Sequence, residues 1–335
     1  MTFAFLTFDS FHFRLSIMEL TQIALIAAAK KMDIKVDLLE GCATDNILFS
    51  KGDKSILFCP DGVPLDNLSY EAFEIAANKQ LCKYYFRKMG LSHPQSISFT
   101  DFDVEQEQLQ NFIKTGALYV FKPLDGAEGK GVCMNLSNLA QVEKAWQQWK
   151  DKYSVFLLEE QVAGGDLRIQ AIGGKLVAAC IREPATTIGD GQQNLNQLIE
   201  VRRSIIQAKN PANSLDLDDA SFELIQKQGL TLDSIPTLGQ KVQLKYVANM
   251  NQGATATDIT DEIHPDYQGW IEKVAKTLHL NIFALDVLTL DYREAPTPDS
   301  AWALEINGRP YWYHHTFSER RTHDMAGMIL RAVFG

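Results

Sequence analysis

Two apolar runs in the last sixth of the sequence carry acids where a core strand should carry none. IFALDVLTL (282–290) holds Asp286, and WALEING (302–308) holds Glu305 and Asn307. Residues two apart on a strand share a face. Ala303, Glu305 and Asn307 therefore point one way, and a hairpin of the two runs would let Asp286 join them. An uncompensated buried carboxylate is costly. Two readings stay open at this level. The acids hold a hard divalent cation such as magnesium, which takes oxygen donors, or they lie on a solvated face or pair with arginine.

The chain has 335 residues, 46% of them hydrophobic, enough for two or three subdomains with buried cores. Its net charge of −10 argues against nucleic acid or an anionic membrane as a main partner. No apolar run approaches the roughly 18–20 residues of a membrane helix. The start, MTFAFLTFDSFHFRLS, does not read as a secretory leader. Five scattered cysteines without a CxxC point to a reducing cytoplasm, with buried thiols rather than disulfides or zinc. The seven histidines form no HxxxH or HExxH. His314 and His315 are neighbours, which on a strand would face opposite ways.

Residues 1–75 alternate strand-like FAFLTF, a helical IMELTQIALIAAAKKMDI, and strand-like KVDLLE and SILFCP. This rhythm predicts a small parallel βαβ domain. Residues 71–89 read as one helix stopped by Gly90, with Lys79 mid-helix. ALYVFKP and SVFLLEE read as strands, NLAQVEKAWQQWKDK and WIEKVAKTLHL as helices, and RIQAIGGKLVAACIR as a hairpin turning at Gly173–Gly174. Residues 187–240 are polar, with two amphipathic helical stretches, and read as an insertion: a lid or an oligomer contact.

Other candidate chemistry is local. In FKPLDGAEGKGV, Lys122 ends a strand and Gly126, Gly129 and Gly131 follow. Glycines let backbone N–H groups approach an anion, and a lysine adds a point charge; the alternative is an ordinary turn. Taken singly, Lys79 reads as a surface lysine and LLEEQVAGGD as a strand end and turn. Arg168, Arg182 and Lys245 each lie near a strand, as solvated or paired charges.

In order, Lys79, VFKPLDGAEGKGV, LLEEQVAGGDLR, ALDVLTLDY and ALEINGRP closely resemble the ATP-grasp ligases, over residues 70–320. Residues 121–265 are most similar to the ligase domain of cyanophycin synthetase and the glutathione-forming domain of bifunctional glutathione synthetases. The resemblance rests on GGDLRIQAIGGKLVAACIREPA, GDGQQNLNQLI and VQLKYVANMNQGATATDITDEIHP. Neither the Mur-ligase-like domain of the one nor the cysteine-ligating domain of the other is read here, so the chain looks like a stand-alone relative.

The resemblance implies a mixed α/β and α+β chain: an ATP-grasp fold preceded by a Rossmann-like domain. The parts would be residues 1–75, Rossmann-like; 76–160, with the ATP lysines and flap; and 161–335, with the metal site and the insertion. It implies that Lys79 and Lys122 contact ATP phosphates and that the loop of Asp125, Gly126, Gly129 and Gly131 closes over them. Glu159, Glu160 and Val162 would belong to the hinge that reads adenine through backbone groups, and Asp166 would hold the ribose. Asp286, Glu305 and Asn307 would bind two magnesium ions, with manganese as a substitute. Arg182 and Lys245 would face the acylphosphate oxyanion, although relatives tend to have Arg at the latter position, and Arg309 would face a substrate carboxylate.

The activity implied is ADP-forming amide-bond formation between a carboxylate and an amine of amino acids or a small peptide. Two other readings stand beside it: a degenerate nucleotide-binding regulator, and a ligase acting on a protein tail. Relatives are commonly dimers or tetramers, so a homo-oligomer is expected.

Overall fold

The structure, a computed structural model, describes residues 19–39, 46–58, 63, 69–124, 126, 131–209, 213 and 215–335. Helix α1 (Leu20–Lys31) leads into strands β1 (Lys35–Leu38), β2 (Ile47–Lys51) and β3 (Lys54–Phe58). These form an antiparallel sheet in the order β1–β2–β3. The expected parallel βαβ arrangement is therefore corrected among the described residues; FAFLTF lies outside them. The reason is local. Lys51 pairs with Lys54 across Gly52–Asp53, with Gly52 at φ +58. A two-residue loop of this kind joins only antiparallel neighbours. This sheet shares a core with the far end of the chain: Leu25, Phe49 and Phe58 pack with Trp312, Ile329 and Leu330.

The helix expected over 71–89 is divided into α2 (Tyr70–Ala77) and α3 (Lys79–Met89). Asn78 between them is extended, and its side chain accepts from the N–H groups of Gln80 and Leu81. Asparagine is a favoured N-cap because its short amide satisfies these orphan donors. Lys79 is thus the first residue of α3. Gly90 ends that helix in the left-handed region, as expected.

Next come β4 (Ser96–Phe99), α4 (Phe102–Phe112), β5 (Tyr119–Pro123), β6 (Cys133–Leu136), α5 (Leu139–Trp149) and β7 (Phe156–Glu160). The four strands form an antiparallel sheet in the order β4–β7–β5–β6. Phe99, Phe121 and Phe156 pack with Leu109 of α4 and Val142 and Trp146 of α5. Burying each such side chain contributes about 1.5–3 kcal/mol.

Strands β8 (Gly165–Ile172) and β9 (Lys175–Glu183) make the expected hairpin, turning at Gly173–Gly174. Then follow β10 (Thr186–Ile188), α6 (Leu195–Lys209), α7 (Asp219–Lys227), β11 (Lys241–Gln243), β12 (Thr255–Asp258), α8 (Asp266–Leu278), β13 (Ile282–Thr289), β14 (Ala301–Asn307) and α9 (Met325–Phe334). The insertion has a core of its own, in which Leu195, Ile199, Ile225 and Val242 meet, and β10 pairs with β11 across it.

The main sheet is antiparallel, in the order β12–β9–β8–β13–β14. Its two faces differ because strand side chains alternate. Leu167, Ile169, Phe283, Leu285 and Val287 face Ile271 and Val274 of α8 and Phe86 of α3. The intervening residues, Asp166, Arg168 and Asp286, fall on the opposite face, which carries the charge.

Candidate active site

The expected hairpin of β13 and β14 forms, and Asp286 lies directly opposite Glu305. Asn307 donates to Asp286 Oδ2 at 3.4 Å. The three residues expected to hold metal are thus brought together. The arginine pairing that the sequence left open is also present. Asp286 Oδ1 lies 2.8 Å from Arg168 Nε, and Asp286 Oδ2 lies 3.2 Å from Arg182 Nη2. Arg182 also bonds Asp166 Oδ1, at 2.6 Å from Nη2 and 3.1 Å from Nε. Asp166 is therefore tied to Arg182, and Arg182 to two carboxylates.

These contacts order the protons. Burial pushes the Glu305 carboxyl up, and the charge of Asp286 adds to the rise. Burial acts upward on Asp286 too, but Arg168 and Arg182 outweigh it and hold that group below its ordinary value. Asp166 is raised by burial, against the pull of Arg182. A proton held by the facing pair rests on Glu305. Lys79 and Lys122 act on Glu305 in the opposite sense, so the two expected phosphate lysines lie within electrostatic reach of that acid.

Lys122 Nζ lies 3.0 Å from Glu159 Oε1, and Lys83 Nζ lies 2.5 Å from Glu159 Oε2. Lys83 is 3% exposed and Glu159 4%. Burial would raise the Glu159 carboxyl, but Lys122 and Lys83 hold it below its ordinary value. Burial lowers Lys83, against the pull of Glu159. The sequence reading missed Lys83. Its signal was its place four residues after Lys79, where helical side chains share a face.

Lys79 Nζ donates to the carbonyls of Leu124 (3.2 Å) and Gly126 (2.7 Å), at the root of the glycine loop. Asp125 and Gly129 lie outside the described residues. Gly131 closes the loop at φ +77, and a Cβ there would sit 2.7 Å from Pro123 Cγ. Only glycine fits both the backbone and the space.

Past Glu159, the Glu160 carboxylate pairs with Lys114 at 3.2 Å. The N–H groups of Glu160 and Gln161 donate to Gln95 and Leu118. Val162 follows in the irregular turn before β8. Lys245 is buried and pairs with Asp218 at 3.0 Å, so Lys245 and Arg182 belong to different ion pairs. Arg309 is half-buried just beyond Asn307.

A second group went unread in the sequence. His314 and His315 sit in a 3-10 turn, Tyr313–Thr316, not on a strand. Both are buried, with ring centroids 4.2 Å apart. Cys180, opposite Arg168 in β9, is fully buried beside them. Burial pushes the Cys180 thiol up to about 12 and His315 down to about 3. Nearby, His323 Nε2 lies 2.6 Å from Asp258 Oδ2.

Residues 87–243 match the sequence profile of the ATP-grasp domain of prokaryotic glutathione synthetase. Residues 87–243 form a domain of the ATP-grasp family. The chain is 30% identical over 272 residues to the cyanophycin synthetase of Crocosphaera subtropica, covering 78% of this chain and 31% of that protein. It is 26% identical over 326 residues to the glutathione biosynthesis bifunctional protein GshAB of Mannheimia succiniciproducens, covering 93% of this chain and 42% of that protein. The chain thus spans less than half the length of these relatives. The crystal structure of a bifunctional glutathione synthetase from Pasteurella multocida shares its fold, with a TM-score of 0.70 at 23% identity over 95% of this chain and 44% of that one. Among the described residues no helix is long and apolar enough to cross a membrane.

Proposed function

We propose that the ATP-grasp chain is an ADP-forming ligase that joins a carboxylate to an amine, both from amino acids or a small peptide. One observation carries the reading: Asp286, Glu305 and Asn307 converge on the charged face of the main sheet, with Lys79 and Lys122 acting on Glu305. The donor set fits magnesium, because it is all oxygen and two carboxyls face each other across the hairpin, a pairing that a cation would relieve. Bound there, magnesium supplies charge neutralisation for the transferring phosphoryl group.

The protein's own part is positioning. A carboxylate oxygen of the substrate attacks the γ-phosphorus of ATP, the bond to ADP breaks, and an acylphosphate forms. The amine nitrogen then attacks the acyl carbon, phosphate leaves, and the amine loses a proton. Lys79 and Lys122 offset charge on the phosphates. Holding both substrates in one site supplies the entropic part of the acceleration. The glycine loop, anchored through Lys79 and Gly131, excludes water from the acylphosphate. Arg182 serves the acylphosphate oxyanion, with Lys245 as the weaker partner because it lacks the guanidinium fork. Asp166 serves the ribose, the backbone from Glu159 to Val162 serves adenine, and Arg309 serves a substrate carboxylate.

The division at 75 and 160, two metal ions with manganese as a substitute, and a cytoplasmic setting belong to the same proposal. The free thiols of Cys82, Cys133 and Cys180 support the last. The insertion 187–240 acts as a lid or as a contact between copies of a homo-oligomer, dimer or tetramer. A screen for ADP release over pairs of amino acids and short peptides tests the activity. Calorimetry of ATP binding to Lys122→Ala tests the site, and unchanged affinity would count against it.

A further inference from the structure

We infer that Cys180, His314 and His315 form a binding site for a zinc-class divalent ion, separate from the oxygen-donor site and independent of the ligase reading. One ligand atom from each lies within 4.8 Å of the others. Cys180 and His315 are 0% exposed and His314 is 1% exposed. Neither ring nitrogen of His315 has a hydrogen-bond partner. Those of His314 make no bond of normal geometry, although the ring faces the Tyr311 backbone. A neutral imidazole offers one donor and one acceptor, and buried polar atoms are paired in nearly all proteins. A metal ion accepts these lone pairs.

The donors decide the class of ion. Thiolate sulfur and imidazole nitrogen select zinc-like ions, whereas magnesium takes the oxygens of Asp286, Glu305 and Asn307. Binding replaces the thiol proton by a sulfur–metal bond and releases that proton to solvent. Charge does not forbid it. Arg168 and Arg182 stand nearby, but Asp286 and Asp166 pair with them. Asp258 lies directly opposite Cys180 on β12. The turn is also approachable: Tyr313, Thr316 and His323 line a cavity of about 600 Å³ on its flank. An ion here pins the segment after β14 to β9, two residues from Arg182. This revises the sequence expectation of buried thiols without zinc.

Cobalt(II) is the probe, because a thiolate–cobalt bond gives a near-ultraviolet charge-transfer band. The full chain is loaded both by incubation and by growth in cobalt-supplemented medium. We expect one equivalent with this band in the wild type. We also expect the band in Glu305→Gln, which alters only the oxygen site, and its loss in Cys180→Ser. Zinc should raise the wild-type Tm, and a chelator should reverse the rise. Folded wild-type protein that lacks the band under both loadings overturns the proposal, whatever the variants do. A band that persists unchanged in Cys180→Ser overturns it equally.

Discussion

The carboxylate of Glu159 bridges two lysines, with Oε2 2.5 Å from Lys83 Nζ and Oε1 3.0 Å from Lys122 Nζ. Removing the shared acid strands a buried ammonium, whereas removing Lys83 leaves Glu159 one partner. Glu159→Gln should therefore cost about 3–5 kcal/mol, the range for breaking a buried ion pair, and Lys83→Met clearly less. Urea denaturation at neutral pH compares the two. A Lys83→Met protein destabilised as much as Glu159→Gln would contradict the bridge.

The same triad sets a pH dependence. The folded Glu159 value lies below the ordinary 4.5. Its contribution is present above that value and is lost as pH falls through the folded one. Lys83 is depressed below 10.5, so its burial penalty eases as pH rises from the folded value toward 10.5. Lys83→Met should move the acid-unfolding midpoint to higher pH, read by circular dichroism, because Glu159 then has one cation fewer. A midpoint that stays put would remove Lys83 from this account.

Glu305→Gln should abolish turnover while sparing the fold. Burial and the charge of Asp286 both push the Glu305 carboxyl up, so Glu305→Gln removes a charge that its surroundings oppose, and the metal-free Tm should equal or exceed the wild-type value. Product formation should fall by about 100-fold or more, the scale on which one preorganised electrostatic group acts. Near-normal ADP release with its proper substrates would argue against the metal assignment.

Gly131→Ala and Gly116→Ala form a matched pair. Both positions have positive φ, +77 and +84, but a Cβ at 116 meets nothing within 4 Å whereas one at 131 meets Pro123. Gly116→Ala should cost about 1–2 kcal/mol from backbone strain alone. Gly131→Ala should cost more and weaken ATP binding as well, measured by calorimetry. Equal losses in both would mean that Pro123 yields freely.

Asp218 caps α7 through the Ser221 N–H at 2.9 Å and pairs with Lys245 at 3.0 Å. Asp218→Asn keeps the cap and loses the charge; Asp218→Ala loses both, the cap being worth about 1 kcal/mol. The carboxyl is held at about 2, with burial opposing and Ser221 and Lys245 prevailing. The stability difference between wild type and Asp218→Asn should be full above the ordinary value of 3.8 and vanish as pH falls through about 2. A constant difference across that range would exclude the pair.

The hairpin of Asp286 and Glu305 and the Gly173–Gly174 turn were legible because alternation and turn chemistry are local. The break at Asn78 was legible in principle, since asparagine before a lysine-rich helical stretch is a cap, but the unbroken apolar spacing on either side concealed it. Gly52–Asp53 was likewise a hairpin signal lost between two strand-like runs read as parallel. What the sequence could not display is pairing across distance. Glu159 read as a hinge residue, and its partner Lys83 sits 76 positions earlier. Arg168 and Arg182 read as separate charges, and Cys180 lies far in sequence from His314 and His315.

The core shared by α1 and α9 couples residues 20–31 to residues 325–334, and Lys54 Nζ bonds the Val333 carbonyl at 2.5 Å. In synthesis α1 precedes the helix it packs against, α9, by about 300 residues. Domains ordinarily fold as they are made. Here the segment of α1 and its sheet cannot complete its core until α9 has been made, so this contact rests on pairing across nearly the whole intervening span rather than on local order.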